Sequence, residues 1–368
     1  MSGKPSVGWR RGLEELSVEF NLKNLVRENI KKMTAYSSAR HEFTGAGSIF
    51  LDANENAFGS PLSENYNRYP DPLQLKLKEK LSQVKGIPSK NIFLGNGSDE
   101  AIDLLFRIFC EPGLDNVITF PPTYGMYEVC AEMNDVKVKK VTLSESFQLN
   151  LGAIEKAIDA NTKLIFICSP NNPTGNSINR SDIEILLNNF QGLLVIDEAY
   201  INYAKQKTFI PWLTEYPNLI ILQTLSKAWG LAGLRLGMAF AGEPVIGYLN
   251  KVKYPYNINT ATQDLALHAL DNITTVNDWI QITVEQREWL KERLSALVFT
   301  QIIYPSDANF ILVKMKDARK IYEYLTTKGI IVRDRSKVIL CEDCLRITIG
   351  TPAENSQLID ILKNYNAN

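Results

Sequence analysis

The sequence predicts an α/β fold, with a mostly parallel central sheet flanked by helices and a smaller α+β domain. Continuous apolar runs such as Leu164-Ile165-Phe166-Ile167-Cys168 and Leu193-Leu194-Val195-Ile196 read as strands buried on both faces. Between residues 116 and 222 such runs alternate with segments of helical spacing, as in strands joined by helical crossovers. Past Pro255 the alternation stops, and long helical segments mix with short strands.

In order along the chain, residues 1–20 lack clear periodicity and read as an N-terminal extension. Residues 25–33 alternate apolar and charged side chains at roughly helical spacing, and residues 36–40 form a polar connector. Residues 48–51 read as a short strand leading into the polar turn Asp52-Ala53-Asn54-Glu55-Asn56. Prolines at 70 and 72 make residues 67–72 an extended loop. Leu73, Leu77, Leu81 and Val84 form the stripe of an amphipathic helix. Gly95-Asn96-Gly97-Ser98-Asp99-Glu100 opens another, with Ser98 as its expected cap. The alternation then predicts strands over 116–120, 136–141, 163–168, 193–197 and 219–222, with helices over 124–133, 151–160 and 180–189. A further apolar segment spans 236–241. Helices are expected over 263–270, 276–297, 318–328 and 353–365, and strands over 309–313, 330–332 and 345–349. The expected division is an extension over 1–20, a large domain over 45–257, and a small domain built from 21–44 and 258–368.

Composition narrows the function. The 368 residues are 45% hydrophobic and 22% charged with net charge −1, so no basic field favours nucleic acid or a membrane surface. The apolar runs are too short to cross a bilayer. Residues 1–20 carry Lys4, Arg10 and Arg11, then Glu14, Glu15 and Glu19, without the apolar stretch of a secretory signal. Five cysteines, an odd number, suggest free thiols and a cytoplasmic location. Cys341 and Cys344 form a C-x-x-C, but no second pair completes a tetrahedral zinc site and the motif precedes a strand, so no metal is expected.

Five motifs at the ends of predicted elements carry chemistry. Lys227 lies between Ser226 and a small-residue stretch, on a turn between two interior strands, with Arg235 eight residues on. A desolvated lysine amine can form a Schiff base with an aldehyde, commonly that of pyridoxal phosphate, and Arg235 would face the cofactor phosphate. Gly97-Ser98-Asp99 at a helix start offers backbone N–H groups to that phosphate, although an ordinary capped helix explains the segment alone. Asp197 ends a buried strand, where a carboxylate needs a positive partner such as a protonated pyridine nitrogen. A magnesium aspartate is excluded because no G-x-x-x-x-G-K-[ST] loop is present. Asn172, in the loop Ser169-Pro170-Asn171-Asn172-Pro173-Thr174-Gly175, is a candidate for the ring oxygen. Tyr124, after Pro121-Pro122-Thr123, is either a ring-stacking group or a core residue.

With these motifs in this order, the chain from about Asn24 to Tyr365 resembles the fold-type-I pyridoxal-phosphate-dependent aminotransferases, and more narrowly the histidinol-phosphate aminotransferases. The resemblance implies that Lys227 bonds the cofactor, Asp197 pairs with the pyridine nitrogen, and Tyr124 stacks on the ring. It puts Asn172 and Tyr200 at the ring hydroxyl, and Gly97, Ser98, Asp99, Ser226 and Arg235 at the phosphate. Tyr69, in Arg68-Tyr69-Pro70-Asp71, looks like a tyrosine donated to the partner subunit, which implies a homodimer. Asn24-Leu25-Val26-Arg27-Glu28-Asn29 with Tyr36-Ser37-Ser38-Ala39-Arg40 is similar to the family's N-terminal segment. Leu51-Asp52-Ala53-Asn54-Glu55-Asn56 is similar to its characteristic turn, with Ala57 where proline is usual. Val332-Arg333-Asp334-Arg335 and Leu345-Arg346-Ile347-Thr348-Ile349-Gly350 match its two substrate-binding arginine segments.

The implied reaction passes an amino group from histidinol phosphate to 2-oxoglutarate, giving glutamate, in histidine biosynthesis. Lys227, once freed from its Schiff base, is the general base, and two half-reactions in one site imply ping-pong kinetics. Arg333 and Arg346 are expected on the substrate phosphate, with Tyr36 adding a hydroxyl and Tyr256 lining the imidazole side. Arg335 is expected in a solvated basic turn. An aromatic aminotransferase, or a decarboxylase of a phosphorylated amino acid, would share every cofactor residue. A cofactor-sensing regulator would need a DNA-binding domain that residues 1–20 are too few to form.

Overall fold

The computed structural model describes residues 20–36, 49–62 and 64–365. Seven strands form the central sheet: β1 (Ile92–Asn96), β2 (Asn116–Thr119), β3 (Lys137–Lys140), β4 (Thr162–Cys168), β5 (Leu193–Asp197), β6 (Leu219–Thr224) and β7 (Leu236–Ala241). Their order is β1-β7-β6-β5-β4-β2-β3. From β3 to β6 neighbouring strands are parallel, while β7 is antiparallel to both β6 and β1. The reversal has a local cause. Parallel pairing needs a helical crossover, but residues 225–235 carry only the 3₁₀ turn Ala232–Leu234. The chain therefore turns straight back, and Lys227 stays at the C-terminal edge of the parallel strands.

The helices are α1 (Glu28–Lys32), α2 (Leu75–Lys85), α3 (Ser98–Phe109), α4 (Met126–Met133), α5 (Leu151–Ala157), α6 (Arg180–Asn189), α7 (Glu243–Val252), α8 (Thr260–Leu270), α9 (Ile273–Ser295), α10 (Ala318–Thr327) and α11 (Pro352–Lys363). The strand period of two divides the central core into two faces. Leu164, Phe166 and Cys168 of β4 pack with Phe93, Val195 and Leu222 beneath α3, α4 and α7. Ile165 and Ile167 point the other way, with Leu94, Ile196 and Ile221, toward α2 and α6.

The second sheet is antiparallel throughout, in the order β10 (Arg333–Asp334), β11 (Cys344–Thr348), β9 (Phe310–Met315), β8 (Thr300–Ile303). Leu290 and Leu294 of α9, Ile321 and Leu325 of α10, and Leu358 and Leu362 of α11 bury its other face. Among the described residues no helix is long and apolar enough to cross a membrane.

Several expectations are corrected. β1 went unread because Ile-Phe-Leu-Gly-Asn is short and its glycine looked like part of the next turn. β8 and α7 were also missed; α7 carries Pro244 and Gly247, which obscure a helix. Ser98 is the first helical residue rather than the cap, and Gly97 holds the cap position with φ 77°. Residues 49–51 form no strand, and Ile49 and Leu51 are exposed. The strand expected over 330–332 begins instead at Arg333, where pairing with β11 starts. Residues 22–32, expected to join the smaller domain, pack against the large sheet's helices. Val26 and Ile30 join the core under α3 and α7, the Arg27 N–H donates to the Ile108 carbonyl, and Lys251 Nζ donates to the Ile30 carbonyl. The reading of residues 1–19 and of the connector beyond Tyr36 lies outside the described residues.

Candidate active site

In an α/β sheet the loops that leave the C-terminal ends of parallel strands converge along one edge. Here that edge opens on a cleft of about 620 Å³. Each loop brings one candidate group to it.

Lys227 follows β6. The Thr224 hydroxyl accepts from the Ser226 N–H at 3.0 Å and donates to the Ser226 hydroxyl at 2.9 Å, which fixes the turn before the lysine. Lys227 Nζ stands in the cleft, 5.7 Å from the centre of the Tyr200 ring. It remains open to solvent, yet the cleft walls, then the charge of Arg346, hold its ammonium below the usual lysine range, with Asp197 opposing.

Asp197 ends β5. It accepts hydrogen bonds from the Tyr127 hydroxyl at 2.8 Å and the Ala199 N–H at 3.1 Å. Burial pushes its carboxyl up to about 6, against the pull of those two donors. The adjacent Glu198 faces away from the cleft and is satisfied by the Thr208 hydroxyl, the Phe209 N–H and the Gln223 amide. Tyr200, next along, packs edge-on against Phe310 of β9, and burial holds its phenol protonated.

The start of α3 forms the far wall. Glycine is favoured at Gly97 by its φ of 77° and required at Gly237 by packing. A Cβ on Gly97 would lie 2.8 Å from Arg235 Nη2, and one on Gly237 only 2.1 Å from the Ser98 nitrogen. The N-terminus of α3 thus rests directly on β7, with its first N–H groups unpaired within the helix. Arg235 lies beside it, 3.7 Å from the Asp99 carboxylate.

Tyr124 and Asn172 come from the loops after β2 and β4. The Tyr124 hydroxyl donates to Asp99 at 3.1 Å, and the ring meets Tyr127 edge-on. Asn171, buried beneath, clamps the two loops together by donating to the Pro122 carbonyl and accepting from the Thr123 hydroxyl. The Asn172 side-chain oxygen accepts from Arg346 Nη1. The second sheet closes the cleft with Arg333, Arg335 and Arg346, and the Arg346 guanidinium sits over the Phe310 ring.

The structure therefore gathers Gly97, Ser98, Asp99, Tyr124, Asn172, Asp197, Tyr200, Ser226, Lys227, Arg235, Arg333 and Arg346 around one cleft. It does not bring Tyr36, Tyr69 or Tyr256 to it. Tyr69 stacks on Tyr256 with ring centres 4.6 Å apart, and Tyr69 lines a separate cavity of about 520 Å³. Tyr36 is exposed at the end of the described N-terminal segment. Arg335 corrects the expectation of a solvated turn: it lines the cleft, with its Nε buried. Tyr127 and Asn171 were missed as well. Only the spacing of Tyr127 three residues after Tyr124 on a helical segment hinted at a shared direction.

A family model of class I and II aminotransferases matches residues 51–362. A histidinol-phosphate aminotransferase of Cytophaga hutchinsonii is 53% identical over 94% of this chain and 99% of that protein. The chain belongs to the histidinol-phosphate aminotransferases, within class I and II. The histidinol-phosphate aminotransferase of Parabacteroides distasonis is 54% identical over the same shares. The crystal structure of the histidinol-phosphate aminotransferase from Sinorhizobium meliloti in complex with pyridoxal-5'-phosphate is 25% identical, with a TM-score of 0.73, covering 84% of this chain and 90% of that one. The identities to these family members favour a histidinol-phosphate aminotransferase over an aromatic aminotransferase or a decarboxylase.

Proposed function

We propose that this chain is a pyridoxal-phosphate-dependent enzyme that moves an amino group between histidinol phosphate and 2-oxoglutarate by a ping-pong mechanism. The observation that carries the reading is the meeting in one cleft of Lys227, a buried Asp197, the bare N-terminus of α3 with Arg235, and a cluster of arginines.

These residues fit the cofactor. The α3 N–H groups of Ser98 and Asp99, with Ser226 and Arg235, suit a phosphate. Asp197, raised by burial, suits a cationic ring nitrogen, and Tyr127 and Ala199 keep its carboxylate oriented. Asn172 and Tyr200 would hold the ring hydroxyl, and Tyr124 would lie against the ring. When bound, pyridoxal phosphate supplies an aldehyde that bonds amines and a protonated ring that withdraws electrons.

The chain's own residues do the rest. Lys227 Nζ is the amine placed to hold the cofactor. Once released, it is the base that takes the proton from the substrate carbon bearing nitrogen. Its lowered pKa suits that task near neutral pH, because more of the amine is unprotonated. Arg346 and Arg333 would bind the substrate phosphate, and the Asn172 oxygen fixes the Arg346 fork in place.

We read residues 45–257 as a large domain that carries the cofactor residues, and the substrate arginines as part of a smaller one. We read the protein as a homodimer in which Tyr69, with Tyr256 stacked on it, serves the partner's cleft. The expected hydroxyl from Tyr36 has no support in its placement. Five buried free thiols fit the cytoplasm.

The test is the absorbance change of the first half-reaction. Histidinol phosphate should react with a kcat/KM well above that of phenylalanine or phosphothreonine. A preference for phenylalanine would replace this reading with an aromatic aminotransferase.

A further inference from the structure

We infer that Arg335 is a third substrate-binding arginine, completing with Arg333 and Arg346 a site for a phosphate monoester dianion. The inference rests on the proposed function and deepens it. The sheet geometry sets the arrangement. Arg333 pairs directly with Arg346 across β10 and β11, so their side chains leave the same face. The Arg335 N–H donates to the Cys344 carbonyl at 2.8 Å, which continues the extended pairing past β10. Strand alternation then returns Arg335 to the face of Arg333 and turns Asp334 to the other, where it pairs with Arg319 at 3.1 Å. Arg333, Arg335 and Arg346 all line the cavity that holds Lys227 and Arg235.

Their hydrogen bonding is incomplete in a specific way. The Nε atoms of Arg335 and Arg346 are both buried and both lack a partner. A solvated arginine would expose that atom, and an arginine with a purely structural role would satisfy it. Among the described residues Arg333, Arg335 and Arg346 take part in no ion pair, and the intervening Asp334 pairs with Arg319 instead. Three guanidinium groups thus stand together without an ion-paired carboxylate of their own. Burial first, and then the neighbouring arginine charge, holds Arg335 and Arg346 below the usual arginine range.

A ligand that relieves this arrangement must bring more than one charge and more than two acceptor oxygens. A carboxylate brings one charge and two oxygens, which one bidentate arginine satisfies. A phosphate monoester brings three free oxygens and close to two charges at neutral pH. Arg335 is therefore a residue that separates phosphate substrates from carboxylates, rather than part of a solvated turn.

Histidinol phosphate and histidinol, the same amine without the phosphate, isolate the contribution of that group. In the holoenzyme, Arg335→Gln should raise KM for histidinol phosphate roughly tenfold or more, with kcat changed less, and leave kcat/KM for histidinol within about twofold. Binding of inorganic phosphate, followed by equilibrium dialysis, should weaken in parallel. Arg335→Lys should recover part of both, because it restores the charge without the fork. If Arg335→Gln fails to fold, Arg335→Lys carries the same comparison, with a several-fold selective loss expected. Equal losses on both substrates, or no loss on either, overturn the inference. A wild type that does not prefer histidinol phosphate to histidinol overturns the proposed function instead.

Discussion

A carboxylate at the end of a buried strand is unfavourable unless something positive faces it, and Asp197 has only two hydrogen bonds to hold it there. The consequence can be measured without the cofactor. Burial raises the Asp197 carboxyl to about 6 in the folded chain, above its value in an unfolded one. A raised pKa means the fold binds the proton more tightly. The associated stability is complete below about pH 4 and is lost as pH rises through 6. The contribution is on the order of 2–3 kcal/mol. Between pH 4 and 7 the cofactor-free wild type should lose stability relative to Asp197→Asn, and added pyridoxal phosphate should restore it. Denaturant titrations at several pH values measure the gap, and a gap constant with pH contradicts the idea. At this scale the sequence was informative where a reactive group sits beside strand ends and glycines, as for Lys227, Asp197 and Gly97. It left Tyr127 without a role and put Arg335 in a solvated turn. Their importance depends on which face of a helix or strand meets the cleft, and local composition does not encode that.

Among the elements, the contact of β7 with the start of α3 sets the phosphate cradle. A Cβ on Gly237 would meet backbone atoms, the Ser98 nitrogen at 2.1 Å and the Gly97 carbonyl carbon at 2.2 Å, and these cannot rotate away as a side chain could. Gly237→Ala should therefore push the helix start outward, weaken pyridoxal phosphate binding at least tenfold and lower the melting temperature. Gly247 is the control. It lies in α7, and a Cβ there meets nothing within 4 Å, so Gly247→Ala should be neutral or stabilising by up to about 1 kcal/mol. Cofactor titration and thermal melts compare the two, and equal behaviour would remove the packing explanation. The parallel strands were legible because doubly buried strands leave unbroken apolar runs, as in β4 and β5. β1 and β8 were not. The first is brief and ends in glycine, and the second is a half-exposed edge strand whose Thr-Gln-Ile-Ile carries no alternation. β10 has only two residues, so its register with β11 is a property of the sheet rather than of its own sequence.

The whole molecule raises the question of what lies against its exposed apolar side chains. Ile49, Leu51, Phe58, Leu62 and Tyr254 are all exposed, Phe58 completely. Four of the five fall within residues 49–62, and such a concentration of exposed apolar side chains suits an association surface. Glu55 ties the segment to the Tyr69 loop, since its carboxylate accepts from Arg68 at 2.6 Å and from the Tyr69 N–H at 2.7 Å. Lys253 and Asn257 brace the other side of the loop: Lys253 donates to the Pro72 carbonyl, and Asn257 accepts from Gln74. A tyrosine held this firmly yet away from its own chain's cleft calls for a second copy to give it a function. Two chains should then form a homodimer in which each Tyr69 completes the cleft of the other. The variants Tyr69→Ala and Lys227→Ala, each strongly impaired alone, separate donation in trans from a local role. If Tyr69 is donated across the interface, a mixed dimer holds one cleft with both defects and one with neither. Mixed dimers should then recover a substantial share of wild-type turnover per intact cleft. If Tyr69 acts within its own chain, every cleft keeps one defect and activity stays at the level of the parents. Mass spectrometry of the intact assemblies confirms that subunits have exchanged, and exchange without recovery contradicts shared sites.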